Sequence, residues 1–148
     1  MLLQNCNSNH QGGQTSFELN KIEKEIEDDK VYKVVEEMPR FPVCEDKGIS
    51  DKNDLKKCAD EEMVKFIFKN IKYPSIAKEQ LIIGKIVVQF VIGKEGQIEN
   101  IKMLKDPGGV FENEIKRVLG LMPTWIAGRH KGKPVNVEMI LPIYIKPE

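Results

Sequence analysis

The sequence predicts an α+β domain with two layers, in which a small three-stranded antiparallel sheet has its helices on one face. Apolar residues recur at helical spacing in some segments and alternate in others. These segments follow in the order helix, short helix, strand, strand, helix, strand. The chain has 148 residues, which is enough to bury one core but not two. We therefore expect a flexible tether over residues 1–30 and a single domain over residues 31–148.

The predicted tether has few apolar residues. Residues 1–17 are rich in Asn, Gln, Gly and Ser, a composition that stays flexible in water. Residues 19–29 carry only a narrow apolar stripe, which predicts a solvated linker helix. Residues 31–35 favour a short strand, and the two prolines in residues 38–42 predict an extended segment laid against the domain.

Two helices are predicted ahead of the first long strand. The first is expected to be capped by Asn53 or Asp54 and to bury one face. This face consists of Leu55, Ala59, Met63, Phe66, Ile67 and Asn70 or Ile71. Pro74 disfavours helical backbone at Tyr73, so the helix should end there. The short second helix should bury Ile76, Ala77, Leu81 and Ile82, and Gly84 should end it.

The predicted sheet consists of two neighbouring strands and a long third one. Residues 85–92 are rich in β-branched and aromatic side chains, and a connection containing Gly93 and Gly96 predicts a tight hairpin to residues 97–104. A helix over residues 111–122 follows, with its apolar stripe in the core. Trp125 is expected to cover the core, and the alternation in residues 135–145 predicts the last strand.

Composition and motifs argue against several classes of function. The formal net charge is zero and no block of like charges occurs, so we expect no nucleic-acid partner. No apolar run approaches the length of about 18 residues that spans a bilayer. His10 and His130 lie beside neither a nucleophile nor a carboxylate pair, so we expect no enzyme and no catalytic residue. The absence of zinc spacing and of a phosphate-binding loop predicts no metal and no cofactor.

The three cysteines suggest two separate roles. Cys44 and Cys58 enclose a polar segment with little apolar content, and a disulfide between them would restrain it. The alternative is a pair of free thiols in a reducing compartment. Cys6 precedes an Asn/Ser/Gly-rich stretch, as the lipidated cysteine of a bacterial lipoprotein does, and the alternative there is an incidental thiol in the tether.

A set of spaced motifs runs through residues 31–146. They are Tyr73-Pro74 with Ala77, Gly84 before a strand, Gly96 in the hairpin, Met122-Pro123-x-Trp125, Gly128, Gly132-Lys133-Pro134-Val135 and Leu141-Pro142-Ile143. In this order they resemble the C-terminal domain of TonB-type energy transducers, in the version found in Bacteroidetes-like bacteria. The resemblance implies a fold of the TonB and TolA C-terminal type.

The resemblance also implies a location and partners. Members of that family sit in the periplasm, anchored to the inner membrane, and contact a short peptide of outer-membrane transporters. They pass on energy from a proton-driven motor complex so that siderophores, cobalamin or glycans are imported. Residues 1–30 hold neither the membrane helix nor the Pro-rich spacer of a typical transducer. Anchoring is therefore expected through a lipid on Cys6 or a missing N-terminal helix, and only such a helix would bring in the motor complex.

The last predicted strand is where we expect the transporter peptide to bind. Pro134 and Pro142 place this strand at an edge of the sheet, because a proline lacks a ladder donor. An exposed edge lets an extended peptide add itself as a further strand. The predicted docking edge consists of Val135, Asn136, Val137, Glu138, Met139 and Ile140. A second hypothesis is a structural or regulatory adaptor of the cell envelope, with the same fold and no role in proton-driven transport.

Overall fold

The computed structural model describes Asn20 and residues 29–146. In this part of the chain the helices are α1 (Lys52–Asn70), α2 (Ser75–Glu79) and α3 (Glu112–Gly120). The strands are β1 (Val31–Tyr32), β2 (Gly84–Ile92), β3 (Ile98–Lys105), β4 (Gly128–His130) and β5 (Lys133–Ile145). Nearly all of the predicted tether and its linker helix lies outside the described residues, so both stay predictions. None of the described helices is long and apolar enough to cross a membrane.

The start of α1 corrects the predicted cap. Asp51, rather than Asn53 or Asp54, is the N-cap, and its side chain accepts hydrogen bonds from the amides of both those residues, at 2.8 and 3.1 Å. Its backbone is extended, as a cap requires, while the two later residues already have helical geometry and only donate. α2 is also shorter than predicted. It buries Ala77, but Leu81 lies beyond it with a φ of 52° and is 72% exposed.

The core lies between the helices and one face of the sheet, which confirms the predicted two-layer α+β arrangement. The buried members on the sheet are Ile86, Val88, Phe90 and Ile92 of β2 with Ile143 and Ile145 of β5. The buried members on the helices are Ala59, Met63 and Ile67 of α1, Ala77 of α2, and Ile115, Val118 and Leu119 of α3. The indole of Trp125 is 4% exposed and contacts the rings of Phe41 and Phe90 edge-on, so it covers the core as expected.

The sheet has five strands instead of the predicted three. Their order is β1-β5-β2-β3, and β4 pairs with β5 as well. β2 is antiparallel to both β3 and β5, which confirms the predicted hairpin. The two extra strands are only two and three residues long, which is too short to show as an alternating pattern. β4 and β5 form a tight hairpin through Lys131 and Gly132, both at positive φ.

A segment over residues 37–44 runs extended beside β4, forms a short 3-10 helix at Pro42–Cys44 and ends at the disulfide. Backbone hydrogen bonds of 2.8 and 3.0 Å join Glu37 and Arg129, and bonds of 2.9 and 3.0 Å join Arg40 and Ile126. Cys44 is fully buried and forms a disulfide with Cys58 of α1, with 6.2 Å between the Cα atoms. The bridge therefore fastens this segment to the helix layer, in the pairing that the sequence suggests.

Candidate functional site

β5 is paired along its whole length on one side and only at its beginning on the other. On the first side, residues 133–135 pair with β4 and residues 137–145 pair with β2. On the second side, only residues 136–137 are paired, with β1. No described strand pairs with the second side of residues 138–145, which we call the open edge.

The hydrogen bonds of β2 show which peptide groups of β5 face each side. The Gly93 amide donates to the Gln97 carbonyl of β3, so the peptide groups of Ile92 and of every second residue before it face β5. Their partners on β5 are the odd-numbered residues from Val137 to Ile145, whose groups therefore face β2. Pro134 is even-numbered, and its partner Arg129 uses its own N–H and carbonyl to bond Glu37, so Pro134 costs the β4–β5 ladder no donor.

The same alternation, along a strand that pairs with β2 without register shifts, places the free groups. The N–H and C=O groups of Glu138, Ile140 and Tyr144 face the open edge, as does the carbonyl of Pro142, whose missing N–H costs the β2 ladder no donor. A peptide that added itself to β5 would therefore bond to the even-numbered residues from Glu138 onward.

The predicted docking edge overlaps the open edge in part. Asn136 and Val137 lie where β1 already pairs with the strand, and Val135 pairs with β4 on the other side. The side-chain oxygen of Asn136 also accepts a hydrogen bond of 3.0 Å from the Lys94 amide. Of the six predicted residues, Glu138, Met139 and Ile140 lie at the open edge, and it is the peptide groups of Glu138 and Ile140 that face it.

An apolar groove accompanies the open edge. Its volume is about 230 Å³ and its lining consists of Val64, Ile67 and Phe68 of α1 with Leu141, Pro142, Ile143 and Tyr144 of β5. Consecutive residues of a strand point to opposite faces, so a groove that touches four in a row lies alongside the strand. The other side of β5 is filled by β2, which places the groove at the open edge. Val64, Phe68 and Tyr144 are 41, 54 and 68% exposed, an unusual amount for large apolar side chains in one place.

The α1 side of this groove was not predicted from the sequence. Val64 and Phe68 fall outside the buried stripe of α1, one turn apart on its exposed flank. An apolar pair on an otherwise charged helix flank is a signal that could have pointed to a binding surface.

A second, wider groove continues the first beyond the end of α1. It has a volume of about 890 Å³, and Phe68 and Tyr144 line both grooves. Three lysines line it, namely Lys72 after α1, Lys78 of α2 and Lys146 after β5. We call this part the basic end.

One carboxylate lies near the basic end and is already engaged. Glu114 accepts two hydrogen bonds of 2.7 Å from the Arg117 guanidinium and one from the Lys72 amide. The bond from Arg117 is the main cause that lowers the pKa of Glu114. Arg117 also donates to the carbonyl of Asn70 at 2.7 Å, which ties α3 to the last turn of α1.

The histidines and Cys6 were the other residues considered from the sequence. The ring centroid of His130 lies 5.3 Å from that of Tyr32, with the two rings tilted, and its Nδ1 lies 3.9 Å from a carboxylate oxygen of Glu36. No group of three potential metal ligands occurs among the described residues. Cys6 and His10 lie outside those residues, so lipid attachment at Cys6 stays a prediction.

An open strand edge beside an apolar groove defines a domain suited to binding an extended segment of another chain. Residues 69–146 match the family model described as Gram-negative bacterial TonB protein C-terminal, which is more than half of the sequence. The chain therefore belongs to the TonB C-terminal family. Members of this family are periplasmic in general and interact with outer-membrane transporters.

Two solution NMR structures of the Helicobacter pylori TonB C-terminal domain are similar to this chain. One has 23% sequence identity and a TM-score of 0.46, and the match covers 68% of this chain and 86% of that one. The other has 24% identity and a TM-score of 0.42, with 58% and 90% covered. The comparison with curated proteins gives no match.

Proposed function

We propose that this domain binds the N-terminal peptide of an outer-membrane transporter as an added strand on the open edge of β5. The observation that carries the proposal is the row of outward-facing peptide groups at Glu138, Ile140 and Tyr144. In the described part of the chain no strand pairs with them. Unpaired N–H and C=O groups on an edge are a template for another strand.

The groove beside the edge supports the same proposal. A strand added next to β5 would continue the sheet, so alternate side chains would point toward the helix layer. On that side they meet Val64 and Phe68, whose exposed apolar surface would be covered by a bound peptide. The backbone bonds would give general affinity for extended chains, and the groove would select peptides with apolar residues at every second position.

We place this interaction in the periplasm, in support of the energy-dependent import of siderophores, vitamins or glycans. The domain acts as a binding module without catalysis, metal or cofactor. Contact with a proton-driven motor complex requires a membrane helix ahead of this chain, and a lipid on Cys6 is the other proposed anchor. The Cys44–Cys58 disulfide supports an oxidising compartment.

The direct test is a titration of the isotope-labelled protein with N-terminal plug peptides of transporters encoded near its gene, followed by NMR. Amide shifts should concentrate at residues 138–145 and at Val64 and Phe68. They should be small at residues 136–137, where β1 covers this side of the strand.

A different outcome would favour the second hypothesis. If millimolar peptide shifts no amide at the open edge, then the domain is better explained as a structural or regulatory adaptor of the cell envelope. Shifts centred on residues 136–137 would instead mean that the peptide displaces β1.

A further inference from the structure

We propose that the turn between α2 and β2 inserts two apolar side chains into the surface of an anionic phospholipid bilayer. The side chains are those of Leu81 and Ile83, and we call residues 81–83 the apolar turn. This inference goes beyond the proposed function, because these residues belong neither to β5 nor to the lining of the two grooves.

The end of α2 holds Leu81 in a conformation that glycine usually adopts. The Ile82 amide donates to the Ala77 carbonyl at 2.9 Å. The Leu81 amide donates to the Lys78 carbonyl at 3.2 Å. This is the Schellman pattern of a helix C-terminus, in which the residue after the cap has a positive φ and is most often glycine. Leu81 has a φ of 52°, so the chain places a strained leucine where a glycine would form the same turn without strain.

The apolar turn projects two of its three side chains into solvent. Leu81 is 72% exposed and Ile83 is 65% exposed, whereas Ile82 between them is partly buried and packs against the core. A Cβ on Gly108 would lie 2.5 Å from Cδ1 of Ile82, so the Ile82 side chain rests directly on that glycine. Ile82 therefore anchors the turn, while its two neighbours face outward with no cover from the described part of the chain.

Four lysines lie around the apolar turn. Lys78 and Lys85 are close to it in the sequence, one on either side. The sheet register adds Lys105 on the strand next to β2, and Lys146, which follows the β5 residue that pairs with Gly84. None of the four forms an ion pair with a described residue, whereas five other described lysines do.

An anionic bilayer fits both the shape and the charge of this surface. Two projecting side chains are far too little for a stable protein interface, which buries about 800 Å² on each partner. Apolar side chains ringed by lysines suit a lipid surface, because the former enter the boundary of the acyl chains and the latter attract the headgroup phosphates. Two carboxylates, Glu79 and Asp106, are near the turn in the chain, so a surplus of positive charge remains.

The test measures cosedimentation of the full chain with phospholipid vesicles, in a Cys6→Ser background so that no lipid can be attached. One set of vesicles is phosphatidylcholine alone, and the other also contains phosphatidylglycerol. The turn variant is Leu81→Gly with Ile83→Ser. Because glycine suits the φ of residue 81, urea unfolding should show this variant to be at least as stable as the wild type. Its matched control is Val34→Ser with Leu121→Ser, which removes two apolar side chains that are 80 and 52% exposed elsewhere.

A second pair of variants tests the charge. Lys85→Gln with Lys105→Gln removes two of the four lysines. Lys78 and Lys146 stay unchanged, because they also line the second groove. The matched control is Lys131→Gln with Lys133→Gln, at the opposite end of β5 from the residue that pairs with Gly84.

The wild type should bind the anionic vesicles about tenfold more tightly than the neutral ones, since each lysine near the surface adds to the attraction. The turn variant and the Lys85/Lys105 variant should each lose about threefold to tenfold in affinity for the anionic vesicles. Both controls should bind as the wild type does, and transporter peptides should bind the turn variant unchanged.

Three outcomes would overturn the inference. The first is that the wild type binds neither set of vesicles. The second is binding that needs the lysines but not Leu81 and Ile83, which is electrostatic adsorption without insertion. The third is a turn variant that keeps vesicle binding and loses peptide binding, which would assign the apolar turn to a protein interface instead.

Discussion

Tyr32 of β1 pairs in parallel register with Val137 of β5, and this pair marks where the open edge begins. At this pair both sides of β5 are occupied, by β1 and by Ile92 of β2. Beyond it, only the β2 side is occupied. A strand that is interior at one point and an edge beyond it can be anchored in the sheet and still accept a partner.

Proline substitutions should separate the two sides of β5. Glu138→Pro removes an N–H that faces the open edge, so we expect it to weaken peptide binding by about tenfold or more, a loss of about 1.4 kcal/mol. Glu138→Ala, which loses the same side chain but keeps the N–H, should bind nearly as the wild type. Affinity can be measured by calorimetry, with urea unfolding as a check on stability.

Met139→Pro should behave in the opposite way. Its N–H faces β2, where Met139 pairs with Phe90, so the substitution leaves a ladder acceptor unpaired. We expect a loss of about 1 to 3 kcal/mol in the free energy of unfolding. If Met139→Pro abolished binding at full stability, then the assignment of the outward-facing groups would be wrong.

Gly96 should tolerate no side chain. Its φ is +86°, and a Cβ would lie 2.1 Å from the carbonyl oxygen of Trp125, whose amide donates to the Gly96 carbonyl at 2.9 Å. Both the strained backbone and the clash oppose Gly96→Ala, so we expect a loss of about 3 kcal/mol or more in the free energy of unfolding.

Gly132→Ala is the matched control, because its φ of +75° is similar and no atom lies within 4 Å of where its Cβ would be. This substitution should lower the free energy of unfolding by only about 1 to 2 kcal/mol, since it introduces backbone strain without a clash. Thermal and urea unfolding would measure both, and equal losses would contradict the clash.

Features set by local pattern could be predicted from the sequence. The β2–β3 hairpin followed from Gly93 and Gly96, and the burial of Ile115, Val118 and Leu119 followed from helical spacing. Such features depend on neighbours in the chain, so the sequence carries them directly.

Features set by distant partners could not be predicted. Pro134 and Pro142 suggested an edge, but not that β1 would pair with Asn136 and Val137 on that side. Likewise, the choice of Asp51 over two later polar residues depends on where the preceding turn ends. To predict the groove, one would have to know that Phe68 and Tyr144, which are far apart in the chain, line the same surface.

Removal of the disulfide should destabilise the fold. Cys44 and Cys58 are 14 residues apart, and closing a loop of that length contributes about 3 kcal/mol in the chain-entropy model. We expect reduction, or the double change Cys44→Ala and Cys58→Ala, to lower the free energy of unfolding by about 2 to 4 kcal/mol.

The measurement is urea unfolding with and without a reductant, in a Cys6→Ser background that prevents exchange of disulfide partners. The double variant should be insensitive to the reductant. Two alkylatable thiols in protein purified from an oxidising compartment would contradict the bridge itself.

The contact of Arg117 with Glu114 and Asn70 should make part of the stability depend on pH. The pKa of Glu114 is lowered in the folded protein, chiefly by its hydrogen bond with Arg117. The pKa of Glu114 is thus lower in the folded protein than in the unfolded chain. The stabilisation is therefore fully present above the unfolded pKa, about 4.3, and it is lost as the pH falls through the folded pKa. Glu114→Gln should therefore be less stable than the wild type at pH 7, and the difference should shrink below about pH 4.3.

Arg117→Ala should lose the same stabilisation and, in addition, the bond to the Asn70 carbonyl at the end of α1. We expect its free energy of unfolding at pH 7 to lie slightly below that of Glu114→Gln, because both contacts are lost while solvent screens the exposed guanidinium. Glu112→Gln is the matched control, since Glu112 forms an exposed pair with Lys116 at 3.3 Å on the same helix. It should change the free energy of unfolding by less than about 0.5 kcal/mol. Urea unfolding from pH 3 to pH 7 would compare the three variants. A Glu114→Gln deficit that stayed constant over this range would show that the carboxylate does not titrate with folding.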